Sequence, residues 1–164
     1  KAKKLLAEAG YPNGFKTKFY SYYDRPICEA MINNFKDVGI TTEFQFIQFA
    51  ALRSAWRKGE TPIFFTTWGS SSIYDVSAFT PIFFNSDNDD MIHDPEVTKW
   101  FKAGDSSIDP QVRLENYSKA YKKIADQAYW LPMYTVNTNY LYSKDVDFKA
   151  TPDELPQFYN TRWK

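Results

Sequence analysis

The stretch KTKFYSYYDRPICEAMINNFKDVGITTEFQFIQFAALRSAWRKGETPIFFTT, residues 16–67, decides the fold. Residues 16–22 interleave lysines with aromatic and β-branched side chains, the composition of a strand with one wetter face. Asp24 stands where a capping carboxylate belongs and Pro26 falls in the first helical turn. Ile27, Ala30, Met31, Phe35 and Val38 then keep a helical period until Gly39. The alternation repeats at once. Residues 41–47 (TTEFQFI) read as a second strand, Phe49, Leu52 and Trp56 mark a second helix that closes at Gly59, and residues 63–67 (IFFTT) read as a third strand. Strand, helix, strand, helix, strand in one short run is the pattern of a parallel sheet with right-handed crossovers. The expected class is therefore α/β, a mixed and mainly parallel sheet flanked by helices.

Outward from this stretch the order changes. On the amino-terminal side Ala2, Leu5, Leu6 and Ala9 share one helical face, and the helix stops at Gly10 before a turn at Tyr11, Pro12, Asn13 and Gly14. On the carboxy-terminal side the pattern becomes helical. Residues 75–84 hold a short helix, and the run 85–90 (NSDNDD) reads as a solvated loop. Two Asp-Pro pairs, Asp94-Pro95 and Asp109-Pro110, each place a capping carboxylate before a proline at the first helical position. The second opens the most periodic helix, with Tyr117, Ala120, Tyr121, Ile124 and Ala128 on its buried stripe. Residues 131–136 and 140–143 read as strands, a hairpin around Asn137, Thr138 and Asn139, and from Lys144 onward the chain reads as an extended aromatic tail.

Composition narrows the function classes. The 164 residues suffice for one domain with a hydrophobic core. Lys plus Arg and Asp plus Glu number 20 each, so no long-range field favours nucleic acid or an anionic membrane. The aromatic share of 19% leaves two readings open, a ring-lined cleft or interface and an aromatic-rich core. Cys28 is the only cysteine, which excludes an internal disulfide and a multi-cysteine metal site; its place beside Ile27 predicts a buried, inert thiol. No window reaches the roughly 18 consecutive apolar residues of a membrane span. Residues 1–8 begin basic but meet Glu8 before any apolar region develops, so no secretory signal is expected at this front, and an opening already helical reads as the middle of something longer.

The richest candidate site follows the third strand: Trp68, Gly69, Ser70, Ser71, Ser72, Ile73, Tyr74 and Asp75. In open α/β sheets ligands sit beyond the carboxyl ends of the strands. A glycine allows close backbone approach, three hydroxyls donate and accept hydrogen bonds, and two rings offer stacking faces, which is binding chemistry for a polar solute. The alternative is a serine-rich turn capping the next helix, with Trp68 in the core. His93 is the only histidine and has no glycine-flanked serine elbow to activate, so it reads as a surface residue near a helix cap. The acidic run 87–90 lacks the glycine a calcium loop needs, because Ile92 occupies the sixth position. No cofactor motif is present. A glycosidase pair among the many carboxylates is not singled out by spacing, and Asn116, Tyr117 and Ser118 match a glycosylation sequon by chance on a helix whose Tyr117 faces inward.

Three stretches together resemble one family. Residues 2–15 (AKKLLAEAGYPNGF) look like the segment that opens the second lobe of the peptide/nickel/oligosaccharide class of periplasmic solute-binding proteins, the dipeptide- and oligopeptide-binding type called family 5. Residues 68–79 are similar to that family's tryptophan-containing segment lining the cleft, and residues 113–134, from RLENY to LPMY, are similar to its late helix running into a Leu-Pro strand. The resemblance implies one lobe of a periplasmic binding protein type II-like fold. On this reading residues 1–164 are a single α/β lobe, the C-terminal ligand-binding lobe, with 144–164 as its tail and with an N-terminal lobe and signal peptide absent. It further implies a non-enzymatic, periplasmic or extracytoplasmic receptor, membrane-attached only if lipidated upstream, that passes a solute to an ABC permease in the membrane. Trp68, Gly69, Ser70, Ser71, Ser72, Tyr74 and Asp75 would contact the solute. Family members that bind free peptides carry an aspartate a few residues after this tryptophan, and here Ser70, Ser71 and Ser72 occupy the stretch. An ammonium in a closed cleft wants a partner charge, so opines, sugars and other polar solutes stand beside oligopeptides. A hydrolase with unidentified carboxylates and a stand-alone interaction domain are the alternatives from other classes.

Overall fold

The computed structural model describes residues 1–69, 73, 75–85, 87–151 and 157–164. They form two compact units, residues 1–68 and residues 69–164. The first contains α1 (Ala2–Glu8), β1 (Phe15–Ser21), α2 (Arg25–Asp37), β2 (Ile40–Phe46), α3 (Phe49–Arg57) and β3 (Ile63–Phe65). Its strands make a parallel sheet in the order β2-β1-β3, with Phe19 opposite Phe44 on one side and Ile63 on the other. This is the α/β arrangement expected from the sequence.

Period-two alternation explains how the sheet is covered on both faces. Phe19 and Ser21 are fully buried on the face that receives α2. Phe19 stacks on Phe44 (ring centroids 5.6 Å apart), meets Phe35 edge-on at 5.9 Å, and joins Cys28 and Phe65 in a core that Ile27, Met31 and Ile32 complete. Cys28 is buried, as its position predicts. The opposite face carries Tyr22 and Phe64, and α3 covers it. Phe49 lies edge-on to Tyr22 at 5.1 Å and Trp56 stacks on Phe64 at 5.3 Å. The turn before β1 meets the turn before β2 closely. A Cβ on Gly14, whose φ is +75°, would sit 1.8 Å from the Gly39 carbonyl oxygen, so only glycine fits there.

In the second unit the α-helices lie between residues 76 and 126. A single 3-10 turn (Val76–Ala78) leads into α4 (Thr80–Phe84), and α5 (Pro95–Asp105) packs on α6 (Pro110–Asp126). Both Asp-Pro caps form: Asp94 accepts from the amides of Glu96 and Val97, and Asp109 from those of Gln111 and Val112. Phe101 is the hub, 4.9 Å from Phe84, 5.3 Å from Tyr121 and 6.1 Å from Tyr117. Tyr117, Ala120 and Ile124 are buried as expected, but Tyr121 is 36% exposed and Ala128 is not on the stripe. The helix stops at Asp126 and Ala128 takes φ +53°, which swings Tyr129 so that its hydroxyl donates to Asp94 Oδ2 at 3.0 Å.

Three further readings are corrected. Asp24 sits at the N-cap of α2, but its side chain makes no capping hydrogen bond. The acidic run is not simply solvated: Asp89 and Asp90 are buried, Asp90 because its carboxylate accepts from the amides of Ile92 and His93. Residues 131–136 and 140–143 form no ladder among the described residues, and the only pairing there is the short antiparallel β4 (Val146–Asp147) with β5 (Arg162–Trp163). A strand needs a neighbour to satisfy its amides and carbonyls, and the alternating side chains alone do not supply one.

Candidate functional site

The parallel strands all end on one side, and the chain there is built from polar side chains that close the sheet. Ser21 is fully buried. Its hydroxyl donates to the Phe65 carbonyl at 3.0 Å and accepts from the Tyr23 amide at 3.0 Å, so the last residues of β1 and β3 stay together where the ladder ends. One residue on, the Tyr22 hydroxyl donates to the Thr67 carbonyl at 3.2 Å and lies 3.0 Å from the Thr67 hydroxyl.

Beside this closure lies an open groove of about 660 Å³, lined by Tyr22, Phe46, Ile47, Gln48, Phe49 and Ala51. It occupies the carboxyl ends of β1 and β2 and the first turn of α3. The Phe46 ring is 49% exposed there, although a strand phenylalanine ordinarily seeks cover. Arg25, at the start of α2, holds its guanidinium 5.5 Å from the Phe46 ring centre and 5.6 Å from that of Phe44. A ring-lined, partly polar, concave surface of this size suits a small solute.

Trp68 borders the groove without lining it. Its ring is 37% exposed, 6.1 Å from Phe49, and Arg53 lies 5.8 Å above it. Trp68 is not in the core, and one of its faces already carries a cation. Gly69 is exposed, whereas Ser70, Ser71, Ser72 and Tyr74 lie outside the described residues. Asp75 caps the 3-10 turn: its Oδ1 accepts from the Ser77 amide at 2.9 Å and the Ser77 hydroxyl at 2.7 Å, and pairs with Arg113. These hydrogen bonds, those from Ser77 first, hold its pKa down at about 2.

Tyr22, Phe46, Ile47, Gln48 and Ala51 were not picked out as site residues by sequence reasoning, and Phe49 was read only as a helix marker. The signal was available, because the rule that ligands gather beyond strand carboxyl ends applies to β1 and β2 as much as to β3. His93 is exposed with φ +50°, and its amide donates to Asp90. No cluster of three or more His, Cys, Asp or Glu side chains that could hold a metal occurs among the described residues, and none of their helices is long and apolar enough to cross a membrane.

Residues 1–90 match the model of the bacterial extracellular solute-binding proteins, family 5, in its middle region. The chain belongs to that family. Its curated relatives include the glutathione-binding protein GsiB of Salmonella paratyphi A and that of Escherichia coli K12, each 25% identical over 93% of this chain. The chain spans about a third of their length. Among solved structures, HbpA2 from Haemophilus parasuis superposes with a TM-score of 0.76 at 22% identity, covering 99% of this chain and 34% of that one. A dipeptide-binding protein from Pseudoalteromonas sp. SM9913, solved with Met-Leu, gives 0.72 at 20% identity over 99% of this chain and 35% of its own. Family 5 membership and these superpositions agree on a mainly parallel sheet flanked by helices.

Proposed function

We propose that this chain is the C-terminal lobe of the solute-binding receptor of an ABC importer. It would capture a peptide-like or other polar small solute against a second lobe, without chemistry. The observation that carries this reading is the aromatic groove at the carboxyl ends of the parallel strands of a family 5 chain. Tyr22, Phe46 and Phe49 supply apolar walls and Gln48 an amide that can donate and accept. Trp68 would add a stacking edge and Gly69, Ser70, Ser71, Ser72 and Tyr74 polar contacts, with Asp75 closing the stretch. The glutathione and Met-Leu in the relatives' names make peptide-like solutes the first to try. The receptor would work outside the cytoplasmic membrane and deliver its solute to the permease.

The test is calorimetry and thermal melting of the full-length polypeptide carrying this lobe, with glutathione, Met-Leu and a neutral disaccharide. A binder present at a hundred times its dissociation constant adds about 2.7 kcal/mol to the folded state, a shift of several degrees. No response to any of the three, together with hydrolysis of Met-Leu that a single carboxylate substitution abolishes, would replace the receptor reading with an enzyme.

A further inference from the structure

The sequence holds one Asn-Gly pair, Asn13-Gly14, in the turn between α1 and β1. Asparagine is a chemically labile side chain, and a following glycine exposes it most, because no Cβ hinders the next amide nitrogen. Once the Gly14 nitrogen gives up its proton, it can bond to Cγ of Asn13 while ammonia leaves, closing a succinimide ring. Water then opens the ring at either carbonyl. The product is an aspartyl residue or an isoaspartyl residue, in which the main chain runs through the former side chain. Water is consumed and ammonia released, with no change of oxidation state.

The folded turn restrains the nitrogen that must attack. Its N–H donates to the Tyr11 carbonyl at 2.9 Å, the closing bond of a β-turn with Pro12 in the second position and Asn13 in the third. A hydrogen bond from the protonated amide opposes loss of that proton. The backbone of Gly39 lies on the other side: a Cβ there would stand 3.7 Å from the Gly14 nitrogen and 3.8 Å from the Asn13 carbonyl oxygen. The Asn13-Gly14 peptide therefore has little room to swing toward the side chain. Both ends of the turn are also held. The Tyr11 amide donates to the Leu6 carbonyl of α1 at 2.8 Å, Phe15 stands opposite Ile40 in the β1–β2 ladder, and the Tyr11 and Phe15 rings lie 5.2 Å apart. Asn13 itself is exposed, so water reaches its side chain and the restraint comes from the backbone.

We propose that Asn13-Gly14 is a deamidation site that the folded turn holds shut and unfolding opens, and that the isoaspartyl product cannot rebuild the contact with Gly39. An isoaspartyl residue adds a methylene to the main chain directly before Gly14. At Gly14 the chains approach so closely that even a Cβ would sit 1.8 Å from the Gly39 carbonyl oxygen. The approach that requires glycine thus also fixes the length of backbone leading into it. The aspartyl product keeps that length and differs only by a charge at an exposed position. A molecule left unfolded acquires a covalent mark that weakens the unit it refolds into.

The experiment keeps the full-length polypeptide at mildly alkaline pH, folded in buffer or unfolded in urea, and reads isoaspartate at position 13 by peptide mapping. The folded sample should convert about tenfold or more slowly than the unfolded one, as expected of a group that waits for local opening. Asn13→Gln, whose longer side chain closes a ring far less readily, should give no isoaspartate in either state. After removal of urea the isoaspartyl fraction should fail to refold or melt about 3 °C or more below the wild type. Asn13→Asp, which carries the product's charge on an unaltered main chain, should melt with the wild type. A folded sample that converts as fast as the unfolded one overturns the proposal, and so does an absence of isoaspartate in urea. Isoaspartyl material that melts together with Asn13→Asp overturns it as well, because the added backbone would then be accommodated.

Discussion

The Tyr22 hydroxyl lies 3.0 Å from the Thr67 hydroxyl and 3.2 Å from the Thr67 carbonyl, joining the segments just beyond β1 and β3 at the rim of the groove. The same ring lines the groove and lies edge-on to Phe49, so one side chain both closes the sheet and shapes the surface beside it. Tyr22→Phe keeps the ring and deletes the tie. It should cost about 1 kcal/mol, the net worth of an ordinary hydrogen bond, seen as a lower urea midpoint at an unchanged slope. A variant as stable as the wild type would show that water replaces the tie without loss.

Gly14→Ala should be far more damaging than its size suggests. The added Cβ meets the Gly39 carbonyl oxygen, a backbone atom that cannot rotate away, in a conformation L side chains seldom adopt. Strain and overpacking each contribute roughly 1–3 kcal/mol. Gly10→Ala, also at positive φ but with open space around it, is the comparison and should cost less. Equal melting temperatures for the two would refute the close-approach argument.

Acid should loosen the α5–α6 pair over a defined window. Asp94 is held at a pKa of about 2 by the hydrogen bond from Lys123 first, with the amides of Val97 and Glu96 and the Tyr129 hydroxyl adding to it. The folded pKa lies below the unfolded value of about 3.9. The stabilisation is therefore complete above about pH 4 and is lost as pH falls toward 2. Melting temperature followed from pH 5 to pH 2 should fall in the wild type, and fall less in Asp94→Asn. Parallel curves would assign the acid sensitivity to other carboxylates.

How much of this was legible in the sequence depended on whether the deciding interactions were local. The parallel unit could be read because Phe19, Leu52, Trp56 and Phe65 recur at strand and helix periods. Both Asp-Pro caps were legible for the same reason, since an N-cap reaches only two or three residues ahead. Locality did not suffice by itself: Asp90 accepts from the amides of Ile92 and His93, only two and three residues ahead, but no proline or helical period follows it directly to mark the turn. The groove was missed for a non-local reason. Tyr22, Phe46 and Gln48 come together only where the carboxyl ends of β1 and β2 lie side by side, and Trp68, singled out in the sequence, borders that groove without lining it.

Trp68→Ala separates the two roles its surroundings allow. The ring is partly exposed and borders Phe49 and Arg53, so its removal does not open a buried cavity of the kind that costs about 3–5 kcal/mol in a core. In the full-length polypeptide the melting transition of this lobe should fall by no more than about 3 °C, about 1 kcal/mol for a unit of roughly 150–250 residues. Affinity for whichever of glutathione and Met-Leu binds should weaken about threefold to tenfold, the worth of one stacking face. A large drop in stability with affinity intact would make the tryptophan a packing residue.

The last expectation concerns residues 129–143 (YWLPMYTVNTNYLYS), fifteen consecutive positions without a charge in a chain that is 24% charged. They form no ladder among the described residues, and large apolar side chains stand out along them, Leu131 at 79% exposure and Leu141 fully exposed. The tail adds Phe158, Tyr159 and Trp163, all exposed. Monomeric proteins seldom leave such surface bare, and uncharged extended backbone offers unpaired donors and acceptors to any strand edge. With equal numbers of acidic and basic residues there is little net repulsion to keep copies apart near neutral pH. The 164-residue chain alone should therefore self-associate, reversibly and with rising concentration, in light scattering. Leu131→Lys with Leu141→Lys should suppress it, by adding like charges and removing the two most exposed aliphatic side chains of the segment. The same double variant should leave the helical unit intact, since neither leucine is buried in it, and an unchanged far-ultraviolet circular dichroism spectrum would show that. A wild-type chain that stays monomeric at high concentration, and a variant that behaves no differently, would mean that this stretch is content in water and marks no surface that another segment or copy covers.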